Sequence, residues 1–106
     1  MSSTEAIRSM AILEPFDGKE NDMLALLREF YGVMYDKGYS RDLLYRDAQH
    51  AGRYIHLRIW NSDDARTQAV NDPDVHRFWI KLAEICAINT TYEQLEPVYN
   101  SYDSLP

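Results

Sequence analysis

Between two stretches that read as β-strands, Ser40 to Gln49 and Arg53 to Trp60, only the three residues His50-Ala51-Gly52 remain. So short a connection closes a hairpin and nothing larger. The two strands are therefore antiparallel neighbours. A doubly wound parallel sheet is excluded, because it needs a helix between strands two and three.

The rest of the chain arranges itself around that hairpin. Arg8 to Glu14 is a short apolar run, stopped by Pro15 and the Asp17-Gly18 turn, and reads as strand one. From Lys19 to Lys37 the period changes: Met23, Leu26/Leu27, Phe30 and Met34 recur at helical spacing, Leu24, Tyr31 and Tyr35 widen the stripe, and Gly38 ends the helix. Glu20 and Asp22 suit its first turn, where carboxylates meet the positive end of the helix dipole. After strand three, Ser62 is placed to cap a helix running to about Val70. Asn71-Asp72-Pro73 breaks and restarts it, and Val75, Phe78/Trp79, Leu82 and Ile85/Cys86 continue at helical spacing. Thr90 to Glu96 is β-prone, ends at Pro97 and forms strand four. The order β-α-β-β-α-β predicts an α+β fold, the ferredoxin-like plait: a four-stranded antiparallel sheet with both helical segments on one face.

A chain of 106 residues makes one domain. Residues 8–99 are its expected extent, with tails at 1–7 and 100–106; Tyr102 is the one tail residue suited to dock locally. Eleven Lys and Arg against 17 Asp and Glu give a net charge of −6, the wrong sign for a nucleic-acid partner. The single cysteine, Cys86, excludes an internal disulfide and any CxxC metal or redox pair; it is expected to be a buried, inert thiol. No run approaches the roughly 18 apolar residues of a membrane span, and the first residues lack a secretory pattern. A cytoplasmic location is the expectation that follows.

Strand three alternates cleanly. Ile55, Leu57 and Ile59 are expected on the helix-covered core side. Tyr54, His56, Arg58 and Trp60 are then left for the uncovered side, where strand two adds one of two phases the sequence does not fix. A face so aromatic and so polar suits a second copy of the chain packed sheet to sheet around a partly polar cavity. Within it, His56 and Arg58 stand about 7 Å apart along the strand. Arg58 can hold a carboxylate or phenolate, and His56 can move a proton near neutral pH. The plainer alternative for them is an ion pair with an acid such as Asp47 or Glu93. Tyr45, Tyr54 and Tyr92, with Trp60 and Trp79, suit a flat aromatic ligand; the tyrosines suit a dimer interface equally, Trp60 a structural anchor, and Trp79 the core beside Phe78 and Leu82. His76 is an ordinary helix-surface residue, and no histidine or carboxylate spacing points to a metal.

The strand ending Arg58-Ile59-Trp60-Asn61, the helix opening Ser62-Asp63-Asp64-Ala65 and the segment Asn71 to Phe78 (N-D-P-D-V-H-R-F) resemble the antibiotic biosynthesis monooxygenase domain family. The opening Ala11 to Glu20 (A-I-L-E-P-F-D-G-K-E) is similar to the family's start. The resemblance extends over about residues 8–99 and implies the dimeric α+β barrel fold: a homodimer joined through the sheet face and the last strand. It implies one of two activities. The first is a cofactor-independent monooxygenase acting on a small aromatic or polycyclic substrate, with His56 and Arg58 catalytic. The second reading is a non-enzymatic ligand-binding or interaction dimer. The haem-degrading branch of the family carries a strand-one Asn and a helix histidine and tryptophan. Here Arg8 to Glu14 has no Asn, Phe78 to Ile80 stand at the ligand position, and Ala69 stands near the tryptophan's, so no cofactor is implied.

Overall fold

A computed structural model of the chain describes residues 7–99 and 101; the expected tails, Tyr102 among them, lie otherwise outside the described residues. The elements run β1 (Arg8–Pro15), α1 (Glu20–Asp36), β2 (Ser40–Arg46), β3 (Tyr54–Trp60), α2 (Asp63–Val70), α3 (Pro73–Ile85) and β4 (Cys86–Leu95). They form one antiparallel sheet in the order β2-β3-β1-β4, the ferredoxin-like plait that the hairpin demanded.

Local chemistry accounts for most boundaries. α1 buries Met23, Leu27, Phe30 and Met34, and Gly38 takes the left-handed turn (φ 74°) that releases the chain into β2. Ser62 Oγ accepts from the Ala65 amide to start α2, and the Asp72 carboxylate accepts from the Asp74 amide to start α3, with Pro73 at the first helical position. Asp72 also accepts from Lys37 Nζ at 2.8 Å and Tyr39 Oη at 2.7 Å, tying the end of α1 to the start of α3.

Three boundaries differ from expectation. β1 continues through Pro15, whose missing amide does no harm at a strand end. β2 stops at Arg46, so the connection spans residues 47–53. β4 begins at Cys86, directly after α3 and four residues before the expected start. No Gly or Pro separates helix from strand there; pairing of Pro15 with Cys86 and of Leu13 with Ile88 converts the chain to extended form.

The two faces of β3 are exchanged relative to the sequence expectation. Tyr54, His56, Arg58 and Trp60 are buried, none more than 7% exposed, on the side covered by the helices. Ile55, Leu57 and Ile59 are half-buried on the side that no helix covers. Cross-strand pairing permits this. β2 sets Asp42 directly opposite Arg58, and both side chains are out of water, 0% and 2% exposed. Once a charge is paired and hydrogen-bonded, it can lie under a helix. The remaining core is apolar: Ala11, Leu13, Met23, Leu27, Leu82 and Cys86 form one cluster, and Phe30, Met34, Ala69 and Val75 pack with Trp60 in a second. Burial pushes the Cys86 thiol up to about 11, and its Sγ–H is donated to the Leu82 carbonyl.

Candidate functional site

The buried face of β3 lays its residues side by side with β1 and β2. Ser9, Arg58 and Asp42 form one cross-strand row; Ala11, His56 and Leu44 form the next. In the first row Arg58 Nε donates to Asp42 Oδ1 at 2.6 Å, while Nη2 lies 3.4 Å from Oδ2. Ser40 Oγ reaches the same carboxylate at 3.4 Å. Burial pushes the Asp42 carboxyl up from its ordinary value, and the Arg58 charge opposes that. Three rings enclose the guanidinium: Phe30 at 4.7 Å, Trp60 at 5.5 Å and Trp79 at 5.7 Å from ring centre to Cζ.

In the second row His56 Nδ1 lies 2.7 Å from Tyr31 Oη of α1. The Tyr31 ring stacks on the imidazole (5.4 Å, 19°), and Trp79 of α3 meets it edge-on at 6.0 Å. Burial first, then the Arg58 charge, lowers the imidazole to about 3, so His56 is neutral at physiological pH. Burial and the Asp42 charge hold the Tyr31 hydroxyl well above its ordinary value.

A cavity of about 550 Å³ opens over this floor, between the sheet and helices α2 and α3. His56, Arg58, Trp60 and Ala11 line it from the sheet, and Ala69, Val75 and Trp79 from the helices. Arg66, His76, Tyr92 and Glu93 surround the mouth. Two nitrogens remain unpaired: Arg58 Nη1 and His56 Nε2 have no hydrogen-bond partner among the described residues, and both side chains line the cavity.

Five of the seven residues singled out in the sequence meet here: His56, Arg58, Trp60 and Trp79, with Tyr92 at the mouth. Two do not. Tyr45 lies on the open face of the sheet, 52% exposed. Tyr54 is buried away from the cavity, donating to Glu20 and accepting from Arg46 at 3.3 Å. The acid partnering Arg58 is Asp42 instead of Asp47 or Glu93. Asp42 and Tyr31 are the site residues that sequence reasoning missed. Asp42 depended on the phase of β2, and Tyr31 looked like a widening of the apolar stripe of α1. Trp60 does anchor the strand end as well, donating from Nε1 to Ser9 Oγ at 2.8 Å. His76 is exposed, its Nε2 engaged with the Val70 carbonyl, and Phe78 to Ile80 offer no iron ligand, so the site does not fit haem. Among the described residues no group of three His, Cys, Asp or Glu is placed to hold a metal ion.

The plait recurs in solved structures. A crystal structure described as an antibiotic biosynthesis monooxygenase superposes with a TM-score of 0.71 at 14% identity, covering 88% of this chain and 99% of its own. SnoaB from Streptomyces nogalater, described as a cofactor-independent oxygenase, gives 0.69 at 12% identity over 91% of this chain and 99% of its own. A conserved protein from Methanosarcina mazei gives 0.69 at 16% identity, over 87% and 95%. The chain therefore has the fold of these antibiotic biosynthesis monooxygenase-type structures. No family model matches the sequence, and no curated protein matches it either.

Proposed function

We propose that the chain is a cofactor-independent oxygenase of the antibiotic biosynthesis monooxygenase type, working as a homodimer on a small aromatic or polycyclic substrate. The observation that carries this reading is the cavity: about 550 Å³, walled mainly by apolar side chains, with a paired cation, a neutral imidazole and an indole at its floor. That volume suits a small organic ligand. The description of SnoaB supports the reaction class.

An anthrone-type substrate carries a doubly activated methylene. Loss of one proton gives a delocalised anion that is itself the reductant for O2. The CH2 group becomes C=O; one oxygen atom enters the product and the other leaves as water with both hydrogens. Carbon gives up four electrons and O2 takes four. The protein's share is to bind and hold the anion. Arg58 Nη1 and His56 Nε2 face the developing oxyanion, Trp60 and Trp79 flank the rings, and the apolar walls exclude water.

The test is turnover of an anthrone-type substrate with and without O2, comparing wild type with Arg58→Ala and His56→Ala. O2 uptake should match substrate loss one for one. Removing an oxyanion donor should slow turnover by about a hundredfold to a thousandfold. Equal substrate loss with and without the protein overturns the oxygenase reading and leaves a ligand-binding dimer.

A further inference from the structure

His56 and Tyr31 together make a more specific statement about the ligand. The Tyr31 hydroxyl has one hydrogen-bond partner among the described residues, His56 Nδ1 at 2.7 Å. Tyr31 is half-buried, and a hydroxyl with one protein partner is best satisfied by donating to it. Were Nδ1 the donor, the phenolic proton would have no acceptor among the described residues. Tyr31 therefore occupies the Nδ1 lone pair, and the single proton of the neutral ring stands on Nε2, toward the cavity that His56 lines.

We propose that Tyr31 is a positioning residue that fixes His56 as the Nε2–H tautomer, so that the cavity floor presents two donors and takes its ligand as a preformed anion, an ionised phenol or enol. The assignment of the tautomer stands on geometry alone; the identity of the ligand rests on the oxygenase reading above. The groups facing His56 agree with a donor's part. β1 and β2 bring Ala11 and Leu44 beside it, α1 brings Tyr31 and α3 brings Trp79, none of them charged at neutral pH. The nearby charges are Arg58 on its own strand and the Asp42 carboxylate bound to Arg58. A cation beside the ring opposes a second cation on it. An imidazole lowered to about 3 is too weak a base to keep a phenolic proton. The other ionisable groups of the lining, Arg66, His76, Tyr92 and Glu93, stand at the mouth. The floor thus has strong donors and no base, which favours a substrate acidic enough to arrive ionised.

Nitrogen NMR of histidine-labelled protein reads the tautomer directly, with no ligand present. His56 should show a protonated Nε2 and a bare Nδ1 from about pH 5 to about pH 8, the range in which an ordinary histidine titrates. Tyr31→Phe keeps the ring packing, removes the donor, and should give a mixture of tautomers. A wild-type Nδ1–H signal, or a His56 that titrates in that range, overturns the proposal. A second arm uses para-nitrophenol against its methyl ether, para-nitroanisole, which cannot ionise. The phenolate should bind at least about tenfold more tightly than the ether, and His56 should stay neutral in the complex. His56→Gln, which keeps a donor, should retain that preference, and His56→Leu should reduce it about tenfold or more. Equal binding of the two probes overturns the anion assignment. Binding of neither overturns the cavity reading as well, while the tautomer still stands or falls on the spectrum.

Discussion

Arg58 is a buried cation whose charge is answered by one carboxylate and three aromatic faces. Arg58→Met alone strands the Asp42 carboxylate in that enclosure and should cost about 3–5 kcal/mol of stability. The double variant Asp42→Leu with Arg58→Met removes both charges and should recover most of the loss; urea unfolding of all four proteins gives the coupling energy. His56 carries a pH signature of opposite origin. Its folded-state pKa, about 3, lies below the ordinary 6.5, so the unfolded chain takes up the proton first as pH falls. The stability it contributes is complete above about pH 7 and is lost progressively between about 6.5 and about 3. By about pH 5 the loss should be about 2 kcal/mol, and His56→Gln should lack it in parallel unfolding curves. Both residues were legible in the sequence as the polar members of an alternating strand. Their surroundings were not. The alternation of strand two left its phase open, and the observed register sets Asp42 opposite Arg58. Without that register the ion pair stays hidden, and with it the reason a charged face can turn inward.

Helix ends with chemical punctuation were read correctly; Pro15 did not stop β1, and the start of β4 carries no mark at all. Gly38, Ser62 and the Asp72-Pro73 pair each mark a helix end through a specific backbone need, and each sits where expected. The passage from α3 to β4 has no such mark: Ile85 is helical and Cys86 extended (φ −149°, ψ 157°) with nothing between. Only the tertiary pairing with β1 decides it, and a single sequence does not display tertiary pairing. The cap of α2 has a consequence for the site, since this two-turn helix carries Arg66, Ala69 and Val70 of the cavity wall. A helix so short owes much of its stability to its cap and to packing. Ser62→Ala removes the bond to the Ala65 amide at 2.9 Å and should destabilise the protein by about 1 kcal/mol. Hydrogen exchange should localise the effect, with amides of α2 exchanging faster while those of β1 and β3 hold their rates.

At the scale of the molecule, the cavity lies between the sheet and the chain's own helices, not on the sheet face expected to meet a twin subunit. What the sheet leaves for a second copy is the other face. Leu43, Leu57 and Met10 pair across β2, β3 and β1 in one row, and Tyr45, Ile55 and Ile12 form the next. Leu43 and Tyr45 are 41% and 52% exposed. A contiguous apolar sheet face of this kind is unusual on a solitary domain, and it suits a self-complementary interface covering roughly 800 Å² per partner. Leu57 stands at the middle of the row, on the face no helix covers, so replacing it disturbs little of the core. Leu57→Asp should therefore sediment as a single chain of 12.4 kDa at micromolar concentration, where wild type should show twice that mass. Its circular dichroism should match wild type. Since His56, Tyr31, Arg58 and the described lining all belong to one chain, monomeric Leu57→Asp should also keep the His56 tautomer and the preference for para-nitrophenol. Loss of ligand binding on monomerisation would instead mean that the partner supplies part of the wall, through the last strand or the exposed Val98 and Tyr99 beyond it. A wild-type protein of single-chain mass would remove the dimer, and would leave the apolar rows of the open face without an occupant.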